Sequence, residues 1–123
     1  MRDYHNWTAW QKSMSLVVLV YKLTSQFPKE EMYGLSSQMR RAAVSIPSNI
    51  AEGCRRGSKK EESQFFKIAF ASGGELETQL EITTQLQFGS AADNEKCAII
   101  LNEVMRLLNK MAFTPKNPSK VNR

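Results

Sequence analysis

The sequence lacks most of what small enzymes and metalloproteins are built around. It has one histidine, His5, and no Glu-x-x-His pair. Metal sites in helical bundles need several inward-facing histidines and carboxylates, so no metal is expected. No G-x-S-x-G elbow, phosphate loop or dinucleotide fingerprint occurs. With no nucleophile–base pairing either, neither a cofactor nor an enzymatic activity is expected. The two cysteines, Cys54 and Cys97, lie far apart and outside any Cys-x-x-Cys, which predicts free thiols in a reducing compartment. The longest apolar run, Leu16–Tyr21, falls far short of the ~20 residues a membrane span needs. The first residues are polar and aromatic, without the apolar stretch of a signal peptide. A cytoplasmic protein with no membrane contact is expected, and Asn6-Trp7-Thr8, a glycosylation sequon in form, then has no consequence.

What is present is a chain of 123 residues with net charge +5, long enough for one domain with a core of its own. The charge is unevenly placed. Residues 37–67 carry seven basic and three acidic groups, and residues 68–95 carry five acidic groups and no basic one. Basic segments set apart in this way can form an anion-binding face.

Apolar spacing predicts four helices. The first runs over 9–26 after Thr8, where Thr8-Ala9-Trp10-Gln11 has the form of a capping box. It carries two stripes: Trp10, Met14, Val17, Val18 and Tyr21, and Leu16, Leu19, Val20 and Leu23. The second begins near Leu35 with Met39, Ala42, Ala43, Ile46, Ile50 and Cys54 in register. Pro47 lies inside it and should kink it. The third follows the capping box Ser58-Lys59-Lys60-Glu61 and runs through Phe65, Ala69, Gly73, Leu76, Leu80 and Thr83 to Leu86. Gly73-Gly74 in its middle suits close approach of a neighbouring helix. The fourth opens near Asp93 or Asn94 and carries Cys97, Ile100, Leu101, Val104, Leu107, Leu108 and Met111. The expected fold is all-α: an antiparallel up-down-up-down four-helix bundle with a proline-kinked second helix, spanning 1–113, and a flexible basic tail over 114–123.

Chemistry is sparse. Glu75, Glu77 and Glu81 read as a solvated face or as partners for Arg40 and Arg41. The basic cluster is the stronger feature: Arg55, Arg56, Lys59 and Lys60 surround a helix end and a helix start, with Arg41, Ser45, Ser48 and Glu52 along the same side of the second helix. Such a group suits phosphate oxygens. No aromatic RNA-recognition motif occurs, so any binding would be led by backbone charge and shape.

The segment from Tyr33-Gly34-Leu35 through Arg40-Arg41-Ala42-Ala43-Val44-Ser45-Ile46-Pro47-Ser48-Asn49-Ile50-Ala51-Glu52-Gly53 resembles the bacterial proteins encoded in intervening sequences of 23S ribosomal RNA genes. Trp10-Gln11-Lys12, Phe27-Pro28 and Glu75-Leu76-Glu77-Thr78-Gln79-Leu80 extend the likeness over about residues 7–112. The resemblance implies a four-helix bundle in a ring-like homopentamer. It also implies kinship with the accessory protein of diversity-generating retroelements, which works with a reverse transcriptase and RNA. It carries over no catalytic residue. Within the matched segment, Asn49 and Glu52 could satisfy backbone groups freed by Pro47.

The function expected is that of a non-enzymatic, oligomeric nucleic-acid-binding protein acting on structured RNA or a nucleoprotein complex, with Arg41, Arg55, Arg56, Lys59 and Lys60 on the phosphates. The alternative is a scaffold that docks a partner enzyme without touching nucleic acid. The surplus apolar stripe of the first helix, Leu16, Leu19, Val20 and Leu23, would expose several hundred Å² in a monomer, more than monomers usually tolerate. It is therefore expected to be the interface of a homo-oligomer, a pentamer by the resemblance or else a dimer.

Overall fold

The computed structural model describes residues 3–113; the expected basic tail, 114–123, lies outside the described residues. Among those described there are four long helices and no strand: α1 Thr8–Thr24, α2 Leu35–Cys54, α3 Lys59–Leu86 and α4 Ala91–Ala112. Short 3-10 turns at Tyr4–Asn6 and Lys29–Glu31 precede α1 and α2. Helix α1 packs on α2 and α4, and α3 packs on the same two, so the four enclose one apolar core.

The core follows the predicted spacing closely in α2 and α4. Met39, Ala42, Ala43, Ile46, Ile50 and Cys54 of α2 are buried, as are Cys97, Leu101, Val104 and Leu108 of α4. In α3 the inward aromatic is Phe66, and Phe65 beside it is half-buried. Gly73 does admit a neighbour: a methyl group there would run into the Met105 sulfur of α4, whereas one at Gly74 would meet nothing. Both cysteines are buried thiols, not joined in a disulfide. Burial pushes the Cys97 thiol up to about 11, with Asp93 adding to the effect.

Helix α1 corrects the expectation about its two faces. Leu16, Val20 and Leu23 are fully buried in the protomer's own core, with Leu19 half-buried against it. The stripe expected at a subunit interface is thus the core stripe. The outward face carries Met14, Tyr21 and Val18, the last 67% exposed. Small residues complete the inner face: Ala9, Ser13 and Thr24 are buried beside the aliphatics. Their hydroxyls are satisfied within the helix, Ser13 Oγ donating to the Trp10 carbonyl and Thr24 Oγ1 to that of Val20, each at 2.8 Å. A buried hydroxyl with a partner carries little penalty.

The helix starts also differ in detail. Thr8 is the first residue of α1 and not its cap; Trp7 holds the cap position without a side-chain bond. Gln11 Nε2 donates to the His5 carbonyl at 3.0 Å, tying α1 to the preceding turn. Ser58 does cap α3, accepting from the Glu61 N–H at 3.2 Å. Helix α4 begins two residues earlier than expected because Ser90 is the cap, accepting from the Asp93 N–H at 2.9 Å.

Helix α2 runs unbroken across Pro47, which is buried. Ser48 Oγ donates to the Val44 carbonyl and Asn49 Nδ2 to that of Ser45, both at 2.8 Å. Asn49 therefore bonds a carbonyl near the proline, but not that of Ala43, the one Pro47 deprives of its i+4 donor. Glu52 does not serve the backbone there: its carboxylate accepts from Arg56 Nη2 at 2.6 Å.

Candidate nucleic-acid interface

Between Cys54 and Lys59 the chain turns from α2 into α3, and the basic cluster is set on this turn. Gly53 makes the tight corner workable. A Cβ at this position would lie 2.7 Å from Phe66 Cε1, so glycine lets the ring of α3 seat against the end of α2. Arg55, Arg56, Lys59 and Lys60 are all exposed. The two arginines lie over rings: the Arg55 guanidinium is 5.6 Å from the Tyr4 centroid and that of Arg56 is 4.5 Å from Phe65. Arg56 is also engaged by Glu52, which shares its charge with any ligand.

Arg41 is not brought to this cluster. It is exposed on α2, but fourteen residues before Arg55, roughly 21 Å along the helix at ~1.5 Å per residue. Ser45 is withdrawn from the surface as well, its Oγ 2.8 Å from Ser72 Oγ of α3. Arg40 reaches neither the cluster nor the acidic group: its Nε donates to Thr24 Oγ1 at 2.8 Å, and it lies over Tyr21. Among the described residues, no ion pair joins Arg40 or Arg41 to Glu75, Glu77 or Glu81; Glu75 accepts from Gln79 Nε2 at 3.4 Å. The Gln79 Oε1 atom is buried with no hydrogen-bond partner among the described residues.

Beside Lys59 and Lys60 an open cleft of about 1120 Å³ lies between the starts of α1 and α3 and the end of α4. Trp7, Phe66, Leu107, Met111 and Phe113 give it an apolar lining, and its charged lining residues are Lys59, Lys60, Lys67 and Glu62. Trp7 and Phe66 meet edge to face with centroids 5.9 Å apart, and Lys67 Nζ lies 5.5 Å from the Phe113 centroid. Ser63 Oγ donates to the Ala112 carbonyl at 2.7 Å and fixes the end of α4 against α3. Sequence reasoning misses this cleft. Its walls come from three distant segments, and none of them carries a local signature.

Among the described residues, no group of histidine, cysteine or carboxylate side chains is placed to hold a metal ion. His5 is exposed, with Nδ1 2.7 Å from Asp3 Oδ1, and that hydrogen bond holds the Asp3 carboxyl below its ordinary value. No helix among the described residues is long and apolar enough to cross a membrane.

Among curated proteins none matches the chain. Among solved structures, a crystal structure of a protein of unknown function from the S23 ribosomal protein family of Bacteroides thetaiotaomicron superposes with a TM-score of 0.77. It is 23% identical, and the alignment covers 87% of this chain and all of that one; at this identity the likeness speaks for the fold. The sequence profile of the 23S rRNA-intervening sequence proteins matches residues 5–110. That match takes in all four helices nearly to the end of α4, and the chain belongs to the 23S rRNA-intervening sequence protein family.

Proposed function

We propose that this protein is a non-enzymatic nucleic-acid-binding protein that acts on structured RNA or a nucleoprotein complex. The observation that carries the reading is the corner from α2 to α3, where Arg55, Arg56, Lys59 and Lys60 stand together in solvent. Four cations on one turn, of which Arg56 alone is in an ion pair with a described residue, fit a row of phosphates better than they fit any need of the fold. Arg41 would add a separate, weaker contact further along α2. The helices would run up-down-up-down, an arrangement that the Ser63–Ala112 and Trp7–Phe66 contacts support, and α2 would bend at Pro47, where the ring clashes with the carbonyl four residues before it. Binding of labelled 23S rRNA fragments at low and moderate salt tests the function. Affinity should fall steeply as salt rises. Absence of binding at low salt, or indifference to salt, defeats the reading. A partner enzyme that stays bound through nuclease treatment and high salt would establish the scaffold alternative in its place.

A homo-oligomer, with a pentamer first and a dimer second, belongs to the same proposal. The surface that suits it is the outer face of α1, where Met14, Val18 and Tyr21 are exposed. Repeating the basic corner around a ring would let weak phosphate contacts add. Sedimentation equilibrium should return a multiple of 14.0 kDa, and Val18→Glu should reduce it without unfolding the protomer. A wild-type mass equal to one chain at micromolar concentration overturns the proposal.

A further inference from the structure

We infer that the cleft beside the start of α3 receives unstacked bases of a single-stranded nucleic acid, with Trp7 and Phe113 as stacking surfaces and Lys59, Lys60 and Lys67 on the phosphates. The inference rests on the nucleic-acid reading above and narrows it from charge and shape to a single strand.

Three observations carry it. The first is size. At about 1120 Å³ the cleft lies at the upper end of ligand sites, which run to ~1,000 Å³, and its open form suits a chain that enters and leaves. The second is the lining. Aromatic and aliphatic side chains line it together with three exposed lysines and a single carboxylate, Glu62, so cations are in excess. A charged groove with rings for successive bases is the common plan of single-strand binding. Bases in a duplex are already stacked and cannot reach such a lining. The third is continuity. Beyond the cleft the same corner carries Arg56 over Phe65 and Arg55 over Tyr4, and within it Lys67 lies near Phe113. These three cation–ring pairs extend the charge and aromatic surface of the cleft along the corner, and arginine planes themselves stack on bases.

Charge selects this occupant over the chain's own C-terminal segment. That segment follows Phe113 directly and carries Lys116, Lys120 and Arg123, so it would bring like charge to the lysines. An acidic peptide would satisfy the lysines but would leave the aromatic lining, Trp7 and Phe113, without flat rings to stack on.

The chain has two tryptophans, and Trp10→Phe leaves Trp7 as the sole tryptophan reporter. Three probes are titrated at low salt: a short oligoadenylate, an abasic ribose-phosphate oligomer of equal length, and an RNA duplex. Oligoadenylate should quench Trp7 and bind about a hundredfold more tightly than the abasic oligomer, the order expected for stacking of two bases. Phe113→Ala, at an exposed position near the end of the described chain, should lower oligoadenylate affinity about tenfold and leave the abasic oligomer unchanged. Its thermal melt confirms that it is folded. Equal affinity for the two oligomers with unquenched Trp7, both weakened by alanine at Lys59 and Lys60, overturns the cleft while leaving the nucleic-acid reading intact. No binding of any of the three probes removes both. An acidic peptide that quenches Trp7 at lower concentration than oligoadenylate overturns the inference in favour of a protein ligand.

Discussion

The starts of α3 and α4 are built alike and charged in opposite ways. Each is capped by a serine, Ser58 in one and Ser90 in the other, whose hydroxyl accepts from the N–H three residues on. The start of α4 places Asp93 in its first turn, where a carboxylate meets the positive end of the helix. Gln26 then locks the corner: its Nε2 donates to Asp93 Oδ2 at 2.7 Å, and its Oε1 accepts from the Ser90 N–H at 2.7 Å. Lys22 stands 3.7 Å from the same carboxylate. The start of α3 instead opens with Lys59 and Lys60, cations at the end where cations are disfavoured, and only then Glu61 and Glu62. One corner has its polar groups committed to one another. The other keeps cations in solvent beside an apolar cleft, which is the arrangement expected of a surface shaped by a ligand and not by stability.

The largest effect that would sharpen this contrast lies under the basic corner. Phe66 is fully buried, meets Trp7, and seats against Gly53. Phe66→Ala should cost about 3 kcal/mol or more, since both the transfer free energy and a new cavity count against the fold. Phe88, half-buried against Phe27 at the α3–α4 corner with centroids 5.5 Å apart, should cost clearly less on the same change. Urea denaturation of the two variants makes the comparison. Equal losses would mean that the basic corner is not anchored as described.

The effect next in size belongs to the α3–α4 corner and appears only as a function of pH. The hydrogen bond from Gln26, opposed by desolvation and assisted by Lys22 and Ser90, holds the Asp93 carboxyl below the ordinary value of 3.8. A carboxyl depressed by folding contributes stability that is fully present above its unfolded value and is lost as pH falls through the folded one. Asp93→Asn should therefore lower the melting temperature at neutral pH and converge with the wild type in acid. Glu103, held low first by its hydrogen bond from Lys12 and then by the lysine's charge, keeps its own acid dependence in both proteins. A constant gap between the two melting curves from neutral pH to pH 2 would show that Asp93 does not titrate as a folded-state partner of Gln26.

Much of this is legible in the chain. The α2 stripe is legible because Met39, Ala42, Ala43, Ile46, Ile50 and Cys54 are buried as their spacing predicts, with Leu35 half-buried at its start and Val44 the one large apolar residue exposed beside it. The face of α1 misleads because large apolar residues cover more than half of it. Counting small residues resolves it: Ala9, Ser13, Leu16, Val20 and Leu23 keep a regular alternation of four and three, and these are the buried ones. The cap at Ser90 is legible too, as Ser90-Ala91-Ala92-Asp93, but the acidic residue inside it draws the eye as a helix start in its own right. At the candidate site the sequence places Arg55, Arg56, Lys59 and Lys60 together because they are neighbours in the chain. It cannot place Trp7, Phe66, Leu107 and Phe113 around one cleft, since that juxtaposition exists only after α1, α3 and α4 have packed.

The smallest effect on stability is the most informative about function. Replacing Arg55, Arg56, Lys59 and Lys60 together by alanine removes the Arg56–Glu52 ion pair, a kind of pair worth about 0.2–1 kcal/mol, and the contacts of Arg55 with Tyr4 and of Arg56 with Phe65, each worth about 0.5–1 kcal/mol at exposed sites. Against this, the change takes two cations from the first turn of α3, where a unit charge of that sign is unfavourable by roughly 0.3–1 kcal/mol. The losses and the gain are of similar size, so the quadruple variant should unfold within about 1 kcal/mol of the wild type. Nucleic-acid binding should respond quite differently. Removing a cation that neutralises one phosphate lowers the slope of log affinity against log salt by about one. The slope should therefore flatten by up to about four, and affinity at low salt should fall sharply. Denaturation and salt titration on the same preparation measure both. If stability falls by several kcal/mol while the salt slope holds, these four side chains maintain the corner itself, and the contrast between the two helix starts is one of packing and not of purpose.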